Sequence, residues 1–342
     1  MRAATFRDYG GPEVMLWEEL DDPIPGADEV VIEVRACGLN HSDLDSRAGT
    51  SRWPFTMPWV LGAEFAGRVA AVGADVEGMA PGDPVTAYQQ YSCGTCTACT
   101  RWRQDLCERF VVFGTDRWGG YAELATVPAR AVIPLEGEDE FIPAAAAQCV
   151  ASTAWSMVTS VAAVRAGETV LVPSASGGVA GAAVQAAVIA GARVIASVGA
   201  SEKAAAVRGL GADVVFCYLE TPVAEAVAEA TGGRGVDVVV DTTGGPRFSE
   251  HLAAMAPDGR LVTCGAHAGE VVPLDIIELF RHGHRILGFR VATPEEIQTA
   301  LQMALDGRIS VPVDRTFPLS EASDAHAYMD DRRHVGKIVL VP

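Results

Sequence analysis

The sequence predicts an α/β protein of two domains, in which a mostly β domain is split along the chain and a doubly wound parallel-sheet domain is inserted between its parts. Three observations predict it. The first third is rich in Gly, Pro and short β-prone runs, the middle alternates Val/Ile/Leu strands with Ala-rich helical stretches, and the last segment returns to a mixed pattern.

In the first third the β-prone runs are 29–36, 66–72 and 84–87, separated by the turn signals Pro25-Gly26 and Pro81-Gly82-Asp83. The texture changes after about residue 151. Strands are predicted at 169–172, 193–197, 214–216, 236–241 and 260–264, and helices at 179–190, 202–209, 223–230 and 247–255. Uninterrupted apolar strands alternating with helices imply a parallel sheet covered on both faces. Helices at 294–305 and 319–329 and a closing strand at 337–341 complete the chain. The boundaries read as 1–152, 153–287 and 288–342, the last segment rejoining the first domain.

A length of 342 residues accommodates two domains. The formal charge of −18, from 26 basic and 44 acidic side chains, argues against nucleic acid or anionic lipid as a partner, because phosphate binding needs clustered Lys and Arg. The N-terminal residues lack the apolar stretch of a signal peptide. No run reaches the roughly 18 uninterrupted apolar residues of a membrane span; the longest candidate, 182–192, is interrupted by Gln185. A cytoplasmic location is the resulting expectation.

Two motifs carry chemistry. From Glu168 the chain runs through a strand and a small-residue turn, Ser174-Ala175-Ser176-Gly177-Gly178-Val179, into a helix. Such a turn lets backbone approach a pyrophosphate, which then meets the free N–H groups of the helix start. The acid that would bind an adenosine ribose belongs about 20 residues on. Ser197 stands there instead, with Lys203 shortly after. A hydroxyl and an ammonium accept a 2′-phosphate that a carboxylate repels, so NADPH is the expected cofactor. NAD stays open, because Glu202 could supply a carboxylate. The second motif is Cys93, Cys96, Cys99 and Cys107, spaced C-x2-C-x2-C-x7-C. Four thiolates in one loop can enclose a structural zinc, with iron–sulfur as the rival. The other cysteines, Cys37, Cys149, Cys217 and Cys264, read as core residues.

These features, with the stretches 36–43, 61–67, 241–245 and 336–340, resemble the medium-chain dehydrogenase/reductase superfamily over essentially the whole chain. The resemblance implies a GroES-like β domain, an inserted Rossmann domain, and homodimers or homotetramers. It also brings out departures. Zinc-type alcohol dehydrogenases of this superfamily hold a catalytic zinc with Cys, His and Cys. Asn40 and Ala63 stand at the first two positions, and only Cys149 keeps a possible ligand. His41, Asp43 and Glu64 lie close enough in sequence to improvise a set. Asparagine at the first position resembles the quinone oxidoreductase branch, so the chain is similar to a group that keeps the structural zinc and has lost the catalytic one.

Carried over residue by residue, the resemblance makes Asn40 and Ser42 the catalytic hydrogen-bond donors, with Asp43 and Glu64 bracing their loop. It assigns the cofactor to Thr153 (opening a helix), Ser176, Gly177, Gly178, Val179, Ser197, Lys203, Tyr218, Thr242, Thr243, Gly265, Ala266, Phe289, Arg290 and Lys337. Lys337 reads almost as well as an exposed charge. Trp53, Phe55, Trp59 and Tyr88 are candidates for an apolar substrate wall or for plain core. The implied activity is NADPH-dependent reduction of an activated C=C bond in an α,β-unsaturated carbonyl or a quinone. A zinc alcohol dehydrogenase with substitute ligands, and a non-catalytic NADPH-binding sensor or scaffold, stay open.

Overall fold

The computed structural model describes residues 1–342. The chain divides into two compact units, one comprising Met1–Cys149, Thr293–Asp306 and Pro312–Pro342, the other Val150–Ala292 and Gly307–Val311. The expected boundary at 287 falls inside the strand Arg285–Gly288, which completes the sheet of the second unit.

The first unit is built on a seven-stranded sheet whose long central strand, Glu29–Gly38, pairs antiparallel with Glu64–Val72 on one side. On the other side lies the closing strand Lys337–Val341, also antiparallel. The expected runs at 29–36, 66–72 and 84–87 are strands, the first two extended by two residues into Cys37-Gly38 and Glu64-Phe65. These extensions matter, because they set the register. Glu64 faces Gly38 on one flank, and Val339 faces Gly38 on the other. Two residues on, antiparallel geometry brings Lys337 to the level of Asn40, where the strand gives way to the helix His41–Ala48. Gly38 has no room for a side chain: a Cβ would lie 2.2 Å from the Ala145 carbonyl oxygen and 2.7 Å from a Glu64 carboxylate oxygen.

In the second unit six parallel strands run in the order Val214–Cys217, Arg193–Val198, Thr169–Val172, Val236–Asp241, Met255–Thr263, Arg285–Gly288. This is the doubly wound order that reverses beside the first strand, where such sheets bind ligands at their carboxyl ends. Leu171, Ile195, Val239 and Leu261, all fully buried, form the middle of its core with Phe248 and Leu252 from the helix Phe248–Ala253. Gln185, the polar break in an apolar helix, is explained by the short excursion Gly307–Val311. Its amide donates to the Ser310 carbonyl at 2.8 Å and accepts from the Ser310 N–H at 2.7 Å, closing a pair that satisfies a buried polar group.

Four helices escaped the sequence reading: His41–Ala48, the short Thr97–Thr100 and Ile276–Arg281, and the long Phe141–Ser156. The last of these lies within the longest apolar helical stretch of the chain, Glu138–Val161, which is mostly buried within the protein. Thr153 therefore lies well inside a helical stretch that continues to Val161, not at the opening of a helix.

Candidate active site and metal centre

The register just described gathers Asn40, Glu64 and Lys337 from three distant segments. Lys337 is 2% exposed, so the surface-charge reading is corrected. Its ammonium donates to the Leu39 carbonyl at 2.7 Å, to Asn40 Oδ1 at 2.8 Å and to Glu64 Oε1. Those contacts take up all three of its protons, which leaves none for the cofactor contact expected from the sequence. Glu64 is fully buried and fully satisfied: Oε1 also accepts from Asn40 Nδ2 at 3.0 Å, and Oε2 from the Cys149 backbone N–H at 2.7 Å.

Asp43 holds the loop from below. Its carboxylate accepts from the N–H groups of Asn40 at 2.9 Å and Gly62 at 3.2 Å, and from the Tyr121 hydroxyl at 3.4 Å. Burial dominates its chemistry and pushes its carboxyl up to about 6, against the pull of those two backbone donors. Burial likewise pushes the Tyr121 phenol and the Cys37 thiol well above their ordinary values. Ser42 is exposed in the first turn of the helix.

This arrangement does not fit a catalytic metal. Asn40 Oδ1 is occupied by an ammonium, Ala63 has no donor, and the Glu64 oxygens are taken. Asp43 is equally committed, to backbone N–H groups and Tyr121.

The four-cysteine lobe is the opposite case. The sulfurs of Cys93, Cys96, Cys99 and Cys107 all lie within 4.8 Å of one another. Separations of 3.5 Å for Cys96–Cys99 and 3.9 Å for both Cys93–Cys99 and Cys96–Cys107 match the roughly 3.8 Å edge of a tetrahedron with metal–sulfur bonds of about 2.3 Å. Backbone N–H groups of Thr95 and Cys96 hold the Cys93 thiol down at about 5, while burial pushes Cys107 up to about 11. Four sulfurs this close do not all ionise without a cation among them.

In the second unit the cofactor residues expected from sequence collect at the carboxyl ends of the strands. Ser176 to Val179 follow the first strand, Lys203 the second and Tyr218 the third; Thr242 and Thr243 follow the fourth, Gly265 and Ala266 the fifth, Phe289 and Arg290 the sixth. Gly177 caps the helix Gly178–Ile189, and a Cβ there would meet nothing nearer than 3.6 Å. The protein's own packing does not require that glycine. Ser174 opens the loop in the left-handed conformation, φ +54°.

Ser197 departs from expectation. It is 2% exposed, and its hydroxyl accepts from the Ser174 N–H at 3.3 Å, so it braces the loop instead of facing a 2′-phosphate. Sequence reasoning missed two further groups. Arg247 lays its guanidinium over the Tyr218 ring at 4.4 Å, a contact signalled only by a basic residue directly after Gly244-Gly245-Pro246. Asp241 accepts from the Thr243 and Gly244 N–H groups, both at 2.8 Å, and pairs with buried His251 at 2.6 Å, which fixes the turn carrying Thr242 and Thr243.

The aromatic wall resolves into separate parts. Phe55 packs on Phe6 and Trp59, Tyr88 bonds to Gln298, and Trp53 is 55% exposed. Of the four other cysteines, Cys37 and Cys217 are buried, Cys149 is half-buried and Cys264 is exposed.

A split β unit with a four-cysteine lobe, joined to a doubly wound parallel sheet with a glycine-capped helix after its first strand, has the architecture of a two-domain dehydrogenase or reductase. Residues 26–137 match the alcohol dehydrogenase GroES-like domain and residues 178–306 the zinc-binding dehydrogenase family. An acryloyl-coenzyme A reductase of Metallosphaera sedula is 33% identical over 94% of this chain and 95% of its own length. A solved NAD-dependent alcohol dehydrogenase superposes with a TM-score of 0.94 at 38% identity, all of both chains being covered. Escherichia coli quinone oxidoreductase, solved with NADPH, gives 0.85 at 27% identity, again over all of both chains. The chain belongs to the medium-chain dehydrogenase/reductase superfamily and is an oxidoreductase of that type.

Proposed function

We propose that this oxidoreductase reduces the activated C=C bond of a small α,β-unsaturated carbonyl compound or quinone with NADPH, without a catalytic metal. The observation that carries the reading is the donor set around Asn40, where an ammonium and a hydrogen-bonded carboxylate occupy the atoms a metal would need. Bound NADPH supplies the hydride. The Gly177 cradle and the start of the helix Gly178–Ile189 hold its pyrophosphate. Alcohol oxidation requires a hydroxyl proton to be lost near neutral pH, which zinc assists and an amide cannot. Reduction of a conjugated bond asks less, because charge collects on an enolate oxygen far less basic than an alkoxide. One amide proton of Asn40 has no partner, and a donor aimed at such an oxygen contributes a few kcal/mol where water is excluded.

Relatives named acryloyl-coenzyme A reductase and quinone oxidoreductase support the reaction class. The NAD-dependent alcohol dehydrogenase neighbour favours the second reading, carbonyl reduction with a substitute ligand set. Product analysis separates the two. The proposal requires a saturated ketone from an enone in a screen of enones, enoyl thioesters, quinones and aldehydes; a chelator-sensitive yield of allylic alcohol would overturn it.

Two accompanying features complete the reading. Cys93, Cys96, Cys99 and Cys107 hold one structural zinc. The oligomer is a homodimer or homotetramer; the open edge strand Arg285–Gly288 and the exposed Ile276, Ile277 and Phe280 beside it support self-association. Light scattering checks this, since a monomer mass at micromolar concentration would remove it.

A further inference from the structure

We propose that Lys337 is a positioning residue that turns Asn40 into a one-way hydrogen-bond donor, so that the ligand group seated there must be an acceptor oxygen. The proposal rests on the functional reading above and deepens it by fixing what Asn40 can recognise. An asparagine amide ordinarily offers both faces, an acceptor oxygen and two N–H donors. Here Lys337 Nζ occupies Oδ1 at 2.8 Å, and Glu64 Oε1 takes one Nδ2 proton at 3.0 Å. With a pure donor beside one end of the amide and a pure acceptor beside the other, the flipped orientation would place like against like at both. What remains is one N–H. It can serve a carbonyl or a developing enolate oxygen, and it cannot take a proton from an alcohol.

Composition agrees with a special demand at these positions. Asn40 is the only asparagine in the chain, and Lys203 and Lys337 are the only lysines among 26 basic side chains. In a chain that otherwise uses arginine, the buried site holds a compact ammonium whose three protons meet three acceptors; a guanidinium would bring five donors in a rigid fork.

The single asparagine makes the test direct. Protein labelled with 15N-asparagine shows one side-chain amide, needing no assignment. In the wild type its two protons should be resolved, and cyclohexanone, offered with NADPH, should shift one of them. Lys337→Met leaves the Glu64 carboxylate buried without its partner and risks misfolding, so the double variant Lys337→Met/Glu64→Gln, neutral at both positions, is measured beside it. In the folded variant the amide protons should collapse towards free-asparagine positions. Its kcat should fall about 100-fold, as for a lost preorganised donor, with the NADPH Kd within about twofold of wild type, a factor worth less than a single exposed contact. An amide signal unmoved by the substitutions would overturn the proposal, and so would a tenfold weaker NADPH Kd at unchanged kcat, which would make Lys337 a cofactor ligand. The amide measurement needs no turnover. If no enone is reduced, the functional reading fails while the amide signal still decides the role of Lys337.

Discussion

The four-cysteine lobe and the Asn40–Glu64–Lys337 cluster belong to the same unit and solve one electrostatic problem in opposite ways. The lobe packs four sulfurs within 4.8 Å, and a cation that would let them all ionise must come from outside. The cluster supplies its own, the Lys337 ammonium, against a fully buried Glu64. Four thiolates around a metal would leave it no open position for a substrate, so such a centre would be structural; a tethered ammonium with all its protons engaged leaves only hydrogen-bond orientation. The difference therefore separates a candidate metal centre from a polar site that carries its own cation within one sheet-based unit.

Metal removal should have the largest effect. Structural zinc in small peptides contributes about 10–16 kcal/mol of apparent binding free energy, so stripping the lobe should cost several kcal/mol of stability and unfold residues 93–107 locally. Elemental analysis should give one zinc per chain, and Cys99→Ser should lose it together with a large part of the thermal midpoint. Two zincs per chain, the second lost in Cys149→Ala, would break the contrast between the two regions.

The second prediction concerns the carboxylate that Lys337 does not neutralise. Asp43 is buried, and its carboxyl is pushed from 3.8 up to about 6. Folded protein then binds this proton more tightly than unfolded chain does between about pH 4 and 6. The contribution of Asp43 to stability is full below pH 4 and falls as pH rises through 6, by about 3 kcal/mol at most. Urea unfolding of wild type and Asp43→Asn across pH 4 to 7 isolates it: the difference in stability between the two should change with pH in that window and level off above it. A pH-independent difference would place the proton elsewhere in the cluster.

The same two regions show why sequence revealed one site more fully than the other. The cysteine lobe lies within fifteen consecutive positions, and the Gly177 loop within six, so spacing alone carries the chemistry. Asn40, Glu64 and Lys337 are brought together by strand register across Gly38, which no local pattern displays. The family resemblance pointed to each of them, yet Lys337 read as a cofactor contact or a surface charge. Ser197 failed for a related reason. A serine at a strand end looks available, but Arg193–Val198 is buried from Val194 onward, as in a parallel sheet covered on both faces, and the Ser197 hydroxyl meets the Ser174 N–H. The helix Phe141–Ser156 escaped notice because its alanine-rich sequence is buried nearly all round, leaving no amphipathic period to read.

The last prediction carries the contrast between local motif and distant gathering into the second unit, where it bears on cofactor choice. The Gly177 loop is local and, holding a pyrophosphate as proposed, would serve NADH and NADPH alike, since both present one. Discrimination rests on what surrounds the end of the strand Arg193–Val198. No acid stands at positions 197–200, Lys203 follows, and Arg247 comes from another segment to lie over Tyr218 at 4.4 Å. Glu202 opposes them, and so do Glu220, which Ser201 engages at 2.7 Å, and Glu250, which pairs with Arg247 at 3.4 Å. Two cations against three exposed carboxylates give no attraction at long range, so any selectivity must come from direct contact with the phosphate. One charge-assisted hydrogen bond is worth about 1.5–3 kcal/mol, and solvent exposure here puts the expected value at the lower end, roughly tenfold in Kd. Fluorescence titration should show tighter NADPH than NADH binding, with Lys203→Ala and Arg247→Ala each weakening NADPH about tenfold and leaving NADH nearly unchanged. Ser197→Ala should act differently, weakening both cofactors together by a smaller factor, because it loosens the loop and touches no phosphate. Selectivity lost in Ser197→Ala but kept in Arg247→Ala would return the serine to the role its sequence position suggested.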